Sequence, residues 1–164
     1  MENGIAVHTK NCPVDVIFVL DESESVKEVN FEKTKKFLSD LVDELAADIN
    51  NSQTRVGFVT FGNKVTSTNN LNAHSSVDKV QSDISSLSYS GGLTYTDIAL
   101  AHVRTQMLTS AAGDRSDTRN VVVVITDGQS THQEKTKVCT IQKLMKKLLH
   151  FRNLKTCRVA GRAI

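Results

Sequence analysis

Val14-Asp15-Val16-Ile17-Phe18-Val19-Leu20-Asp21-Glu22-Ser23-Glu24-Ser25 is the stretch that decides the fold. Its run from Val16 to Leu20 is apolar, β-branched and aromatic, with no polar alternation. Such a run reads as a strand buried on both faces of a parallel sheet. It ends abruptly in an acid and two hydroxyls at alternate positions, Asp21, Ser23 and Ser25. In an open α/β sheet, ligands bind just beyond the carboxyl ends of the strands. All three side chains offer oxygen, the donor that hard cations such as Mg²⁺ prefer.

Before this strand, residues 1 to 13 have no periodicity and read as a leader. Met1 to His8 has neither a basic start nor an apolar h-region, so no signal peptide is expected. After it, residues 21 to 27 form a loop, and a helix is expected from about Asn30 to Ile49. Phe31, Thr34, Phe37, Leu38, Leu41, Val42, Leu45 and Ile49 form its inner stripe. Glu32, Lys35, Lys36, Asp43 and Asp48 form a solvated face.

Thr54 to Phe61 is a second strand. The turn signal Gly62-Asn63 and a short run, Lys64 to Ser67, make a hairpin with it, so one edge of the sheet is antiparallel. Ser75 or Ser76 caps a helix that runs to about Leu87. Ser90-Gly91-Gly92-Leu93-Thr94-Tyr95-Thr96-Asp97 is a glycine-rich loop that opens the next helix, with Thr96 as its expected cap. Ile98, Leu100, Ala101, Val103, Met107 and Leu108 are expected to be mostly buried there. Asn120 to Thr126 is the strongest strand signal and ends in Asp127-Gly128. Residues 134 to 151 read as a further helix, and Thr156 to Ala160 as a weak last strand.

Strands alternating with helices imply an α/β three-layer sandwich, Rossmann-like, with a mainly parallel central sheet and one antiparallel edge strand. Right-handed crossovers bring the ends of the first strand and the Val121 strand together, so Asp21 and Asp127 meet. The composition agrees. A chain of 164 residues, 39% hydrophobic and 23% charged, is long enough for one full core and too apolar for disorder. A net charge of +2 gives no reason to expect nucleic acid. Runs such as Val121 to Ile125 fall far short of the roughly 20 residues of a membrane span. Cys12, Cys139 and Cys157 have no C-x-x-C spacing, which argues against zinc and thioredoxin chemistry. Either Cys12 pairs with a C-terminal cysteine or all three are thiols; both readings stand. Asn50-Asn51-Ser52 is the one N-x-S sequon and carries little weight alone.

Three loops thus offer oxygen at one edge of the sheet: Asp21, Ser23 and Ser25; then Thr94; then Asp127. Taken singly, each has a plainer reading. A lone serine or threonine after a strand is more often a helix cap, and Asp-Gly is often only a turn. Taken together, three independent coincidences would have to converge on one end of the sheet. Glu22 and Glu24 are expected to face solvent. Tyr95 stands either at the rim or buried. Four of the five histidines, His74, His102, His132 and His150, have no ligand spacing and read as solvated or structural.

D-x-S-x-S after a buried strand, G-G-x-T-x-T opening a helix and T-D-G after another strand together resemble the von Willebrand factor type A domain. The collagen- and matrilin-like extracellular members are the most similar in flavour, together with the integrin inserted domain. The resemblance covers roughly residues 12 to 137. It implies a metal-ion-dependent adhesion site in which Ser23, Ser25 and Thr94 ligate Mg²⁺ or Mn²⁺, and Asp21 and Asp127 bind it directly or through water. The remaining position would take an acidic side chain from an extracellular matrix partner such as collagen. It also implies a secreted, non-enzymatic binding module occupying 14–164, lacking the family's usual last strand and helix.

Besides an intracellular type A domain in a chaperone or complex scaffold, two other functions compete. One is a structural or assembly domain with a vestigial metal site. The other is a Mg²⁺-dependent phosphotransferase beginning strand-D-x-D, weakened because Ser23 replaces the second acid. A nucleotide-binding domain would want glycines between Asp21 and Val26, and there are none.

Overall fold

The computed structural model describes residues 13–137. Strand β1 (Val14–Asp21) is flanked in parallel by β2 (Thr54–Phe61) and β4 (Arg119–Ile125). Strand β3 (Val65–Asn69) returns antiparallel to β2, giving the sheet order β3-β2-β1-β4. This is the expected α/β architecture, mainly parallel with one antiparallel pair.

The side chains of β1 explain the three layers. Alternate residues of a strand point to opposite faces, and β1 is apolar at both parities. Val16, Phe18 and Leu20 pack with Phe31, Leu38 and Val42 of helix α1 (Glu28–Glu44) and Val80 and Ile84 of helix α3 (Val77–Ser86). Ile49 of the short helix α2 (Ala46–Asn50) joins the same cluster. Ile17 and Val19 instead pack with Val59, Phe61 and Leu71, and with Ala99 of helix α4 (Thr96–His102). Val103 and Met107, from the π-helical turn Val103–Met107 that continues α4, complete that second cluster. Each large buried side chain contributes about 1.5–3 kcal/mol over its exposed state.

Several local expectations are corrected. The first helix does not run unbroken to Ile49. Leu45 adopts φ −93°, ψ 3°, and its N–H is shared between the Leu41 and Val42 carbonyls, which separates α1 from α2. Phe37 is 55% exposed. It lies six residues after Phe31, about 120° around the helix from the buried stripe. Ile98 is likewise exposed on α4. Thr96 is the first residue of α4 and makes no capping hydrogen bond. Ser76 occupies the N-cap position of α3, but its hydroxyl does not cap; the Asn50 Oδ1 accepts the Val77 N–H at 3.1 Å instead. Among the described residues β4 is an edge strand, and Val121, Val122 and Val124 are 37–39% exposed, not buried on both faces.

The lower end of the sheet is fixed by one ion pair. Asp15 is fully buried, and Arg115 grips it through Nε at 2.9 Å, Nη2 at 2.7 Å and its own backbone N–H at 3.1 Å. The same guanidinium donates to the carbonyls of Val14, Ser52 and Gln53. The loop before β4 is thereby tied to the starts of β1 and β2. The leader up to residue 12, most of the 134–151 helix, the Thr156 to Ala160 strand and all three cysteines lie outside the described residues; 133–137 is helical.

Candidate metal centre

Three loops meet at the carboxyl ends of β1 and β4, on the side predicted from the crossover argument. In the first, the Ser23 N–H donates to Asp21 Oδ1 at 2.9 Å, folding the chain back as it leaves the sheet. Ser23 Oγ lies 3.0 Å from Ser25 Oγ. Ser25 Oγ donates to Asp127 Oδ1 at 3.1 Å, across to the loop after β4. The second Asp21 oxygen accepts a 2.6 Å hydrogen bond from Thr126, the residue before Asp127. Asp21, Ser23, Ser25 and Asp127 are therefore linked in one chain of hydrogen bonds. Asp21 and Ser23 are buried, whereas Ser25 and Asp127 are exposed, so the cluster opens to solvent at one end.

Thr94, 8% exposed, is held to both other loops through backbone and neighbours. Its N–H donates to Thr131 Oγ1 at 3.2 Å, and its carbonyl accepts from the Thr131 N–H at 2.8 Å and Ser130 Oγ at 3.3 Å. Two residues earlier, the Gly92 carbonyl accepts the Glu24 N–H at 2.8 Å. This approach depends on glycine. A Cβ on Gly62 would stand 2.5 Å from the Gly91 carbonyl oxygen, and Gly92 has φ +96° and lies against Asn63. Asn63 Oδ1 accepts the Leu93 N–H at 2.8 Å, and the Gly62 carbonyl accepts the Tyr95 N–H at 3.2 Å. The β2–β3 turn thus positions the glycine-rich loop.

The flanking residues settle further expectations. Glu24 is exposed as expected, but Glu22 is fully buried, not solvent-facing. Its Oε1 accepts from Thr66 Oγ1 and, at 2.7 Å, from Ser90 Oγ. Tyr95 is partly buried and stacks on His132, with ring centroids 4.6 Å apart. His132 Nδ1 lies 3.3 Å from Asp97 Oδ2, His74 contacts Asp83 and His102 contacts Thr68, so these histidines have structural partners. Sequence reasoning missed Thr126, Thr131 and Ser130 as supports of the site. Thr126 had a signal, since a hydroxyl between a buried strand and Asp127 must point to one side of the sheet end.

The local field is negative. Burial, reinforced by the carboxylates of Glu24, Glu28, Glu22 and Asp21, raises the Tyr89 phenol above its ordinary pKa of 10.0. Tyr89 therefore stays protonated at neutral pH, and its hydroxyl donates to the Ser23 carbonyl at 3.3 Å.

The donor set fits a hard divalent cation. It consists of two carboxylates and neutral hydroxyls, all oxygen. Among the described residues no group of three or more His, Cys, Asp and Glu could hold a metal, so a thiolate- or imidazole-rich centre is not on offer. Both Asp21 oxygens already accept protein hydrogen bonds, which suits an orienting carboxylate acting through water.

Residues 15–154 match the family model of the von Willebrand factor type A domain. The chain is 32% identical over 128 residues to the collagen alpha-1(XX) chain of Mus musculus, covering 78% of this chain and 10% of the collagen. It is 37% identical over 120 residues to matrilin-1 of Bos taurus, covering 71% of this chain and 22% of the matrilin. The chain thus spans under a quarter of the length of these curated relatives. In fold it is similar to proximal thread matrix protein 1 from the mussel byssus, with a TM-score of 0.70 at 25% identity, over 80% of this chain and 36% of that one. That mussel protein has also been solved with a zinc-occupied MIDAS motif.

Proposed function

The chain belongs to the von Willebrand factor type A domain family, and from that premise we propose that it is a divalent-cation-dependent adhesion module. Its relatives are matrix proteins, and type A domains of matrix proteins are non-enzymatic. The proposed ligand is an extracellular matrix protein, collagen-like or similar, offering an acidic side chain. The proposed setting is extracellular.

One observation carries the reading: Ser23, Ser25 and Asp127 stand in hydrogen-bond sequence although the last pair is 102 residues apart. Ser23, Ser25 and Thr94 would offer hydroxyl oxygens to Mg²⁺ or Mn²⁺. Asp127 would offer a carboxylate at the open end, and Asp21 would act through water while fixing Ser23. When bound, the ion supplies an electrophilic position for a carboxylate from outside. Two protein carboxylates offset its charge, and neutral hydroxyls leave it in need of a further anionic ligand. The protein's own part is to hold these oxygens convergent, through the Thr126 bond to Asp21 and the Thr131 clamp on Thr94.

The test is adhesion to a collagen or matrix extract with and without EDTA. Binding by the wild type is expected to vanish with EDTA, and Thr94→Ala is expected to abolish it while leaving the circular dichroism spectrum unchanged. Binding that survives EDTA would overturn the proposal.

A further inference from the structure

The Asn50-Asn51-Ser52 sequon runs from the last residue of α2 toward β2, and the cation-site reading makes no use of it. All three residues are exposed. The backbone there is pinned while the side chains are on offer. The Ser52 N–H donates to the Ile49 carbonyl at 3.0 Å, and the Ser52 carbonyl accepts from Arg115 Nη1 at 2.9 Å. The Asn51 N–H donates to the Ala47 carbonyl at 3.1 Å. Ser52 itself has φ +57°, the left-handed backbone that commonly ends a helix.

Asn50 divides its amide. Oδ1 accepts the Val77 N–H at 3.1 Å and so caps α3. Nδ2 makes no hydrogen bond among the described residues, and neither does the Ser52 hydroxyl. N-glycosylation consumes only the nitrogen, and the amide oxygen remains an acceptor in the product. One side chain can therefore cap α3 and carry a glycan together. The middle residue is Asn51, which meets the motif's requirement for a residue other than proline.

The location also suits an adhesion module. β1 and β2 run parallel, with Val14 opposite Thr54 and Asp21 opposite Phe61. Asn50 precedes the start of β2, whereas the candidate cation site stands beyond the end of β1. The eight residues of β1 separate the two ends by about 23 Å, at roughly 3.3 Å per residue.

We infer that Asn50 is an N-glycan acceptor, placed at the end of the sheet opposite the candidate cation site. The donor is a lipid-pyrophosphate-linked oligosaccharide. Asn50 Nδ2 bonds to the anomeric carbon while the bond from that carbon to the pyrophosphate oxygen breaks. The amide gives up one proton, the lipid pyrophosphate departs, and nothing is oxidised or reduced. This rests on the extracellular setting proposed above.

The test sends the full chain through the secretory pathway of a eukaryotic cell by a fused signal sequence. Mass is read on cell-associated and secreted protein together. The wild type is expected to carry a mass excess that peptide N-glycosidase removes, converting Asn50 to Asp. Ser52→Gly suits the positive φ and leaves the Asn50 cap in place, and it is expected to lose the excess entirely. Asn50→Asp, which keeps a capping oxygen, is expected to lose it too. A wild type without glycan, or a Ser52→Gly variant that retains one, would overturn the inference. Because the signal is supplied, a missing glycan is a failure of Asn50 as acceptor and not of the extracellular setting. The Mg²⁺ Kd before and after glycosidase treatment is expected to agree within about twofold, as for sites far apart with no shared partner. A larger change would overturn the placement. A glycosylated chain that binds no Mg²⁺ would overturn the cation-site reading and leave this inference standing.

Discussion

Ser25 and Asp127 are joined by a 3.1 Å hydrogen bond between loops that leave the sheet from two neighbouring strands. The register explains the meeting. β1 and β4 pair in parallel, with Leu20 opposite Ile125, so their next residues emerge side by side. Thr126 then reaches Asp21, and Asp127 reaches Ser25. Parallel pairing of β1 with β4 is thus the device that turns two distant loops into one oxygen cluster.

The first prediction concerns the opposite end of the sheet. Arg115→Met leaves the fully buried Asp15 carboxylate without its partner, and loss of one member of a buried pair costs about 3–5 kcal/mol. Urea unfolding is expected to show that loss. Mg²⁺ affinity under native conditions is expected to stay within about twofold, because the clamp lies at the strand starts and the candidate site at their ends.

A second prediction separates backbone approach from side-chain chemistry. Gly62→Ala places a methyl 2.5 Å from the Gly91 carbonyl oxygen, backbone that must shift to make room. The expected cost is about 1–3 kcal/mol in unfolding experiments, the range for overpacking. Displacement of the Thr94 loop is expected to weaken Mg²⁺ binding in the same variant. An unchanged stability would contradict the close approach.

How much of this was readable in the sequence differs by element. β1 and β2 were readable nearly to the residue, since their continuous apolar runs are bounded by a polar loop and a Gly-Asn turn. The meeting of the loops after β1 and β4 was readable because the architecture dictates which ends of strands face the same way. Glu22 was not. A strand buried on both faces has no solvent side, so alternation cannot say where the next acid points. The hydroxyls that receive it, Thr66 and Ser90, come from elements 44 and 68 residues away. The break at Leu45 was unreadable too, because Glu44-Leu45-Ala46 contains no glycine, proline or capping residue. The α3 cap came from Asn50 on another helix, a tertiary contact that no local pattern encodes.

The third prediction follows from the raised phenol of Tyr89. Its folded pKa lies above the unfolded value of about 10. The stability it contributes is therefore fully present below about pH 10 and is lost as pH rises through the folded value. Unfolding free energies of the wild type minus those of Tyr89→Phe are expected to be constant at neutral pH and to decline above about pH 10. A difference that grew with pH would contradict the assigned direction.

The most direct measurement is a calorimetric titration of the chain with Mg²⁺, beside Asp127→Ala. Saturable one-to-one binding by the wild type, absent from a folded Asp127→Ala, is the expected result. A folded wild-type domain that takes up no Mg²⁺ or Mn²⁺, or an Asp127→Ala variant that binds as tightly as the wild type, would contradict the proposed adhesion site.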